Sequence, residues 1–134
     1  MKRILFAFAI LFICTTVVKA QDTVKNTAVP QAHFNELKHE FGNIPQGIPA
    51  TTKFTFENKG KTPLVIETAT ATCGCTTPIY PKAPILPGKK GDIEVTYNAQ
   101  AMGHFVKMVD VKFAQFNRPV NLVINGDVVE KSNK

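Results

Sequence analysis

Apolar side chains recur at every second position through most of the chain, and turn-forming clusters interrupt them at roughly 8–12-residue intervals. Residues 50–58 (ATTKFTFEN) set Thr52, Phe54 and Phe56 on one face and Lys53, Thr55 and Glu57 on the other. A period of two predicts a strand in a sheet that is dry on one side and wet on the other. Residues 58–61 (NKGK) predict a hairpin-type turn, and residues 63–70 (PLVIETAT) a further strand with Leu64 and Ile66 as its core pair. Its β-branched residues suit a pleated surface. Residues 91–98 send Ile93, Val95 and Tyr97 inward, and residues 103–114 place Val109, Val111 and Phe113 opposite Asp110 and Lys112. Residues 120–129 turn Val120, Leu122 and Ile124 inward, with a bulge or bend at Asn125-Gly126.

Two stretches fit this pattern less simply. In residues 33–42 Leu37, His39 and Phe41 alternate, which predicts an edge strand ending at Phe41. A turn over residues 43–47 follows, with Gly47 available for a positive φ. Residues 78–88 (PIYPKAPILPG) hold four prolines. Proline has no N–H for a ladder, so this stretch is no central strand. Ile79, Tyr80, Ile85 and Leu86 make it an ordered loop that packs down. About seven short strands and no long helix predict an all-β chain, an immunoglobulin-like β-sandwich. With no tryptophan and no widely spaced cysteine pair, its core must rest on Phe, Val, Ile and Leu.

The ends read differently. Lys2 and Arg3 precede an uncharged apolar run from Ile4 to Ile13, and Val18-Lys19-Ala20 offers a small-residue cleavage site. Residues 1–20 are therefore expected to be a signal peptide, residues 21–32 a flexible tether, residues 33–130 the domain and residues 131–134 a tail. The apolar run falls short of the roughly 20 residues a membrane span needs, so no transmembrane segment is expected. Cys14 invites comparison with a lipoprotein signal, but bulky Ile13 precedes it, and lipid anchoring through Cys14 is not expected. The expectation is an exported chain, periplasmic or secreted. Cleavage also changes the charge. Of 16 basic residues Lys2, Arg3 and Lys19 leave, so the remainder carries 13 − 10 = +3, spread along the chain. That dispersed charge points away from nucleic acid.

The chemistry concentrates in Cys73-Gly74-Cys75-Thr76, which contains both cysteines of the expected mature chain. In an oxidising compartment the pair tends to bridge. A Cys-x-Cys ring of three residues constrains the unfolded chain by only about 1.6 kcal/mol. Three readings stand side by side. The pair is structural, or it is a redox couple, or it ligates a soft metal such as copper or zinc. Zinc would need further ligands, since closed sites take four. Met102, His104 and Met108 share strand parity and form a second, weaker soft-metal set. Thr76, Tyr80 and Phe116 are candidate partner contacts on turns and loops. No nucleophile elbow, HExxH or phosphate loop is present, and no cofactor is expected.

Phe41-Gly42-Asn43-Ile44-Pro45-Gln46-Gly47, Phe54-Thr55-Phe56-Glu57-Asn58, Pro63-Leu64-Val65-Ile66, Cys73-Gly74-Cys75-Thr76, Leu86-Pro87-Gly88 and Val95-Thr96-Tyr97 follow one another along the chain. In this order and spacing they resemble the bacterial family called domain of unknown function 1573, over about Phe34 to Val128. The resemblance implies an immunoglobulin-like fold akin to PapD-like, major-sperm-protein and hydin-type domains, in an exported bacterial protein. It implies no activity. Residues 114–119 (AQFNRP) depart from the short polar turn of the family by carrying Phe116. The expectation is thus a non-enzymatic interaction or structural module, its partner an unidentified protein or envelope component. The alternative is a periplasmic thiol-redox or copper- or zinc-binding protein using Cys73 and Cys75.

Overall fold

The computed structural model describes residues 30–114 and 116–131. The expected signal peptide with Cys14, the tether as far as residue 29 and the last three residues of the tail lie outside them. Eight strands follow in chain order: β1 (Ala32–Phe34), β2 (Lys38–Pro45), β3 (Ala50–Asn58), β4 (Ile66–Ala71), β5 (Thr76–Ile79), β6 (Lys90–Tyr97), β7 (Gly103–Phe113) and β8 (Val120–Val129). They build two four-stranded sheets, ordered β1-β3-β6-β5 and β2-β8-β7-β4. The described residues contain no helix.

The alternating strands form the centre of each sheet. β3 pairs antiparallel with β6 along its length, from Ala50 opposite Tyr97 to Glu57 opposite Lys90. β7 and β8 form the longest ladder, from Gly103 opposite Val128 to Val111 opposite Val120. β2 joins β8 in parallel, and β4 joins β7 antiparallel. Phe54, Phe56, Ile93 and Val95 from one sheet face Val109, Val111, Phe113, Leu122 and Ile124 from the other, all buried. Burying each such side chain contributes about 1.5–3 kcal/mol. The sheets also meet through rings. Phe56 meets Phe113 edge-on at 5.5 Å, and Tyr97 stacks on Phe105 at 4.0 Å. This is the expected immunoglobulin-like sandwich, with eight strands rather than about seven.

Three local expectations need correction. The single edge strand over residues 33–42 is two strands in different sheets. Between them Asn35 N donates to Thr55 O in one sheet, and Leu37 O accepts from Val123 N in the other. Backbone bonds to both layers carry the chain across, and periodicity cannot register that. β2 then runs past Phe41 to Pro45, burying Ile44. The bend expected at Asn125-Gly126 lies in the neighbouring strand instead. β8 is continuous, while β2 slips register between Glu40 and Asn43 opposite it. Gly42 takes φ +66° there, and its carbonyl comes so close that a Cβ on Gly126 would sit 2.8 Å from Gly42 O. The glycine in β8 accommodates a bulge in β2.

The third correction concerns residues 58–61, which make no hairpin. β3 and β4 lie in different sheets. Asn58 is fully buried and organises the crossing. Its Nδ2 donates to Thr62 O at 2.9 Å and Ile85 O at 2.8 Å, and its Oδ1 accepts from Gly60 N at 2.9 Å. Its backbone bonds Lys89 and Gly88. The proline-rich loop is pinned by these bonds and by a two-way backbone bridge between Leu64 and Ile85. Ile85 is buried as expected, whereas Ile79 and Leu86 are exposed. Pro78 sits in β5, at a sheet edge, where its missing N–H is harmless.

Candidate functional site

The cysteine turn links the two sheets along one side of the sandwich. β4 pairs with β7 only as far as Ala71 opposite Val109, and Thr72 N then makes a last bond to Met108 O. From Cys73 the chain leaves that sheet. Thr76 N donates back to Cys73 O, closing a tight turn, and Thr76 enters β5 opposite Tyr97. Cys75 O accepts from Asn98 N, which anchors the far side. Cys73 and Cys75 are joined by a disulfide, their Cα atoms 5.3 Å apart. Both are half-buried, and Cys75 packs on the core. Gly74 is exposed, with nothing near the place a Cβ would take.

Thr76 proves to be an internal residue. It is 4% exposed, and its hydroxyl lies 3.7 Å from Cys73 Sγ and 3.9 Å from Cys75 Sγ. Its inward position in β5 removes it from any partner surface, contrary to its expected role. Tyr80 is half-buried. Its hydroxyl donates to Glu67 O at 3.4 Å, and Lys82 Nζ stands 3.6 Å from its ring centroid. The ring ties the proline-rich loop to β4. Phe116 is also half-buried against the core, with its N–H donating to Phe113 O. Much of its surface is therefore used internally.

The second soft-metal set does not converge. His104 and Met108 point outward on β7 four residues apart, which the strand rise makes about 13 Å. His104 Nδ1 instead meets Asp127 Oδ1 at 3.1 Å, and Met102 lies before β7 begins. Met108 is 40% exposed and fills no core gap. With their sulfurs bonded to each other, Cys73 and Cys75 offer thiolates only after reduction.

A feature that sequence reading missed is apolar and exposed. Ile48, Met102 and Val129 gather at the end of the sandwich where β2 and β8 finish. Gln46 N bonds Val129 O, Ile48 N bonds Pro45 O, and Gly103 pairs with Val128. Val106 and Met108 are exposed farther along the outer face of β7, beyond the His104–Asp127 pair, and all five residues are at least 38% exposed. The signal was present in β7: outward positions 104–112 read His, Val, Met, Asp, Lys, with two apolar residues on the polar face.

The fold is shared with several solved structures. A protein of unknown function from Porphyromonas gingivalis W83 superposes with TM-score 0.64 at 12% identity, over 79% of this chain and 51% of that one. The VesB protease of Vibrio cholerae superposes with TM-score 0.58 at 17% identity, over 73% of this chain and 32% of that one. PapD-like domain 7 of human CEP192 gives TM-score 0.62 at 12% identity, over 89% of this chain and 97% of that domain. This chain thus spans about half of the first protein, about a third of the second and nearly all of the third. At these identities the likeness is one of fold. No curated protein matches the sequence. Residues 32–128 match the family described as protein of unknown function (DUF1573), and with that stretch covering most of its length the chain belongs to this family.

Proposed function

We propose that this protein is an exported, non-enzymatic interaction module whose partner is a protein or envelope component. The observation that carries the reading is the exposed apolar end formed by Ile48, Met102 and Val129, with Val106 and Met108 also exposed farther along β7. Solvent-facing apolar surface of this kind mostly marks contact sites. The fold likeness to a PapD-like domain supports a binding role, and the N-terminal segment supports export. The disulfide suits an oxidising compartment.

The test is site-specific photo-crosslinking in cells that make the full chain with its own leader. A photoreactive residue at Ile48 or Met102 should trap one defined macromolecule, and the same residue at Thr55 on the opposite outer face should not. Equal or absent labelling from both faces overturns the reading. Intact mass of the exported chain should begin at Gln21; a cytosolic chain with its leader retained overturns export.

The second reading makes Cys73 and Cys75 a thiol-redox pair, or after reduction a soft-metal ligand. It is favoured by a half-exposed disulfide that closes a ring too small to stabilise much. A Cys73→Ser/Cys75→Ser variant that keeps the crosslink argues for the module. Loss of dithiol exchange or of copper uptake together with the crosslink moves the function to the sulfurs.

A further inference from the structure

We infer that residues 103–107, the first half of β7, form an open docking edge for an extended polypeptide segment of another protein, one carrying an acidic residue. This deepens the interaction-module reading and rests on it. β7 has β8 on one side from Gly103 to Val111 and β4 on the other. The β4 ladder stops at Ala71–Val109, because the chain turns away through the disulfide. Among the described residues, 103–107 therefore have no neighbouring strand on that side.

The alternation of strand bonding shows which groups are left. Met108 O accepts from Thr72 N, so the backbone groups of Met108 face the β4 side. Two and four residues earlier, those of Val106 and His104 must face the same way. Among the described residues, no backbone bond other than those of the strand ladders involves either one. Together they present two N–H donors and two carbonyl acceptors to an incoming strand, the footing of β-augmentation.

The true sheet edges are blunted in ways this stretch is not. β1 has three residues, β5 has four and contains Pro78, and β2 and β4 both carry register slips. Short strands, proline and bulges are the usual protections against stray pairing. Residues 103–107 pair with β8 in unbroken register and expose Val106 at 55%.

The occupant's chemistry follows from Lys107. It belongs to the inward row between Phe105 and Val109, opposite Ile124, and is half-buried. No carboxylate pairs with it among the described residues. An added strand with Asp or Glu at the position facing Lys107 supplies that charge, while apolar side chains on its outer row extend the surface of Val106 and Met108. A second copy does not fit as well. Its own residues 103–107 read Gly-His-Phe-Val-Lys and bring no carboxylate to either lysine.

The probe is a synthetic eight-residue peptide of alternating valine and threonine with one aspartate placed to face Lys107, added to the purified mature chain. At saturation, hydrogen exchange at the His104 and Val106 amides should slow at least about ten-fold, and replacing the aspartate by lysine should weaken binding about ten-fold. Val106→Pro removes an edge-facing donor and leaves the β8 ladder intact, so it should abolish binding while the far-UV spectrum is unchanged. Lys107→Glu should invert the preference between the two peptides and serves where the proline variant does not fold. No binding at millimolar peptide, protection at another edge, or dimerisation through residues 103–107 overturns the proposal. If photo-crosslinks from Ile48 and Met102 persist in Val106→Pro, the edge fails and the module reading stands. Loss of those crosslinks in the otherwise unaltered chain fails the module reading itself.

Discussion

Replacing Asn58 should do more damage than any surface change, and its network gives the size. Asn58→Ala deletes three hydrogen bonds, two donated to Thr62 O and Ile85 O and one accepted from Gly60 N. Each contributes about 1 kcal/mol net. Ile85 O keeps its bond from Leu64 N, and water reaches the exposed Thr62, so the penalty for orphaned groups is small. The expected loss is about 2–3 kcal/mol, which lowers the melting temperature of a domain this size by about 10–20 °C. Urea unfolding followed by circular dichroism measures it. Asn58→Asp is the sharper variant. It keeps the bond from Gly60 but turns two donors into lone pairs aimed at carbonyls, in a fully buried position. Folding then disfavours the charged carboxylate, and its folded pKa rises above the unfolded one. Its stability relative to the parent chain is highest below the unfolded pKa and falls as pH rises through the folded one. A larger deficit is therefore expected at about pH 7 than at about pH 3, either side of the ordinary carboxylate range. A loss under about 0.5 kcal/mol for Asn58→Ala, the scale of an unremarkable surface change, would refute the assigned network. So would a deficit for Asn58→Asp that does not change with pH.

Other outcomes follow from the same structure. Cys73→Ser/Cys75→Ser should cost no more than about 1.6 kcal/mol in urea unfolding, because the ring it opens spans three residues. Gly126→Ala should lower the unfolding free energy measured in urea by about 1–3 kcal/mol, since its Cβ would meet Gly42 O and the Phe105 ring. The Glu57 carboxyl should titrate below the ordinary range by NMR, because Lys59 Nζ bonds it at 2.6 Å, and Lys59→Ala should return it toward that range. The sign of that shift favours the fold above the unfolded pKa and is lost as pH falls, but salt should remove most of the effect at this surface site.

What the sequence determined by itself was the local alternation. Period two in β3, β6, β7 and the first half of β8 correctly placed Phe54, Phe56, Ile93, Val95, Tyr97, Val109, Val111, Phe113, Leu122 and Ile124 in the core, because a strand has only two faces and water selects one of them. That pattern sufficed for an all-β sandwich, and the ordered motifs sufficed for the family. The single stretch most endowed with chemistry, Cys73 to Thr76, was also legible as the place to look. Tertiary structure decided everything that depends on which strand lies beside which. The chain's crossing between sheets at Asn35–Leu37, the bulge in β2 that Gly126 accommodates, and the burial of Thr76 all arise from contacts between residues distant in sequence. Asn58 read as a turn residue because its partner Ile85 is 27 positions away. The open half of β7 was invisible for the same reason. Residues 103–107 have the same alternation whether or not a neighbour covers them, and it is the disulfide turn, carrying β4 away at Cys73, that leaves them without β4 as a neighbour.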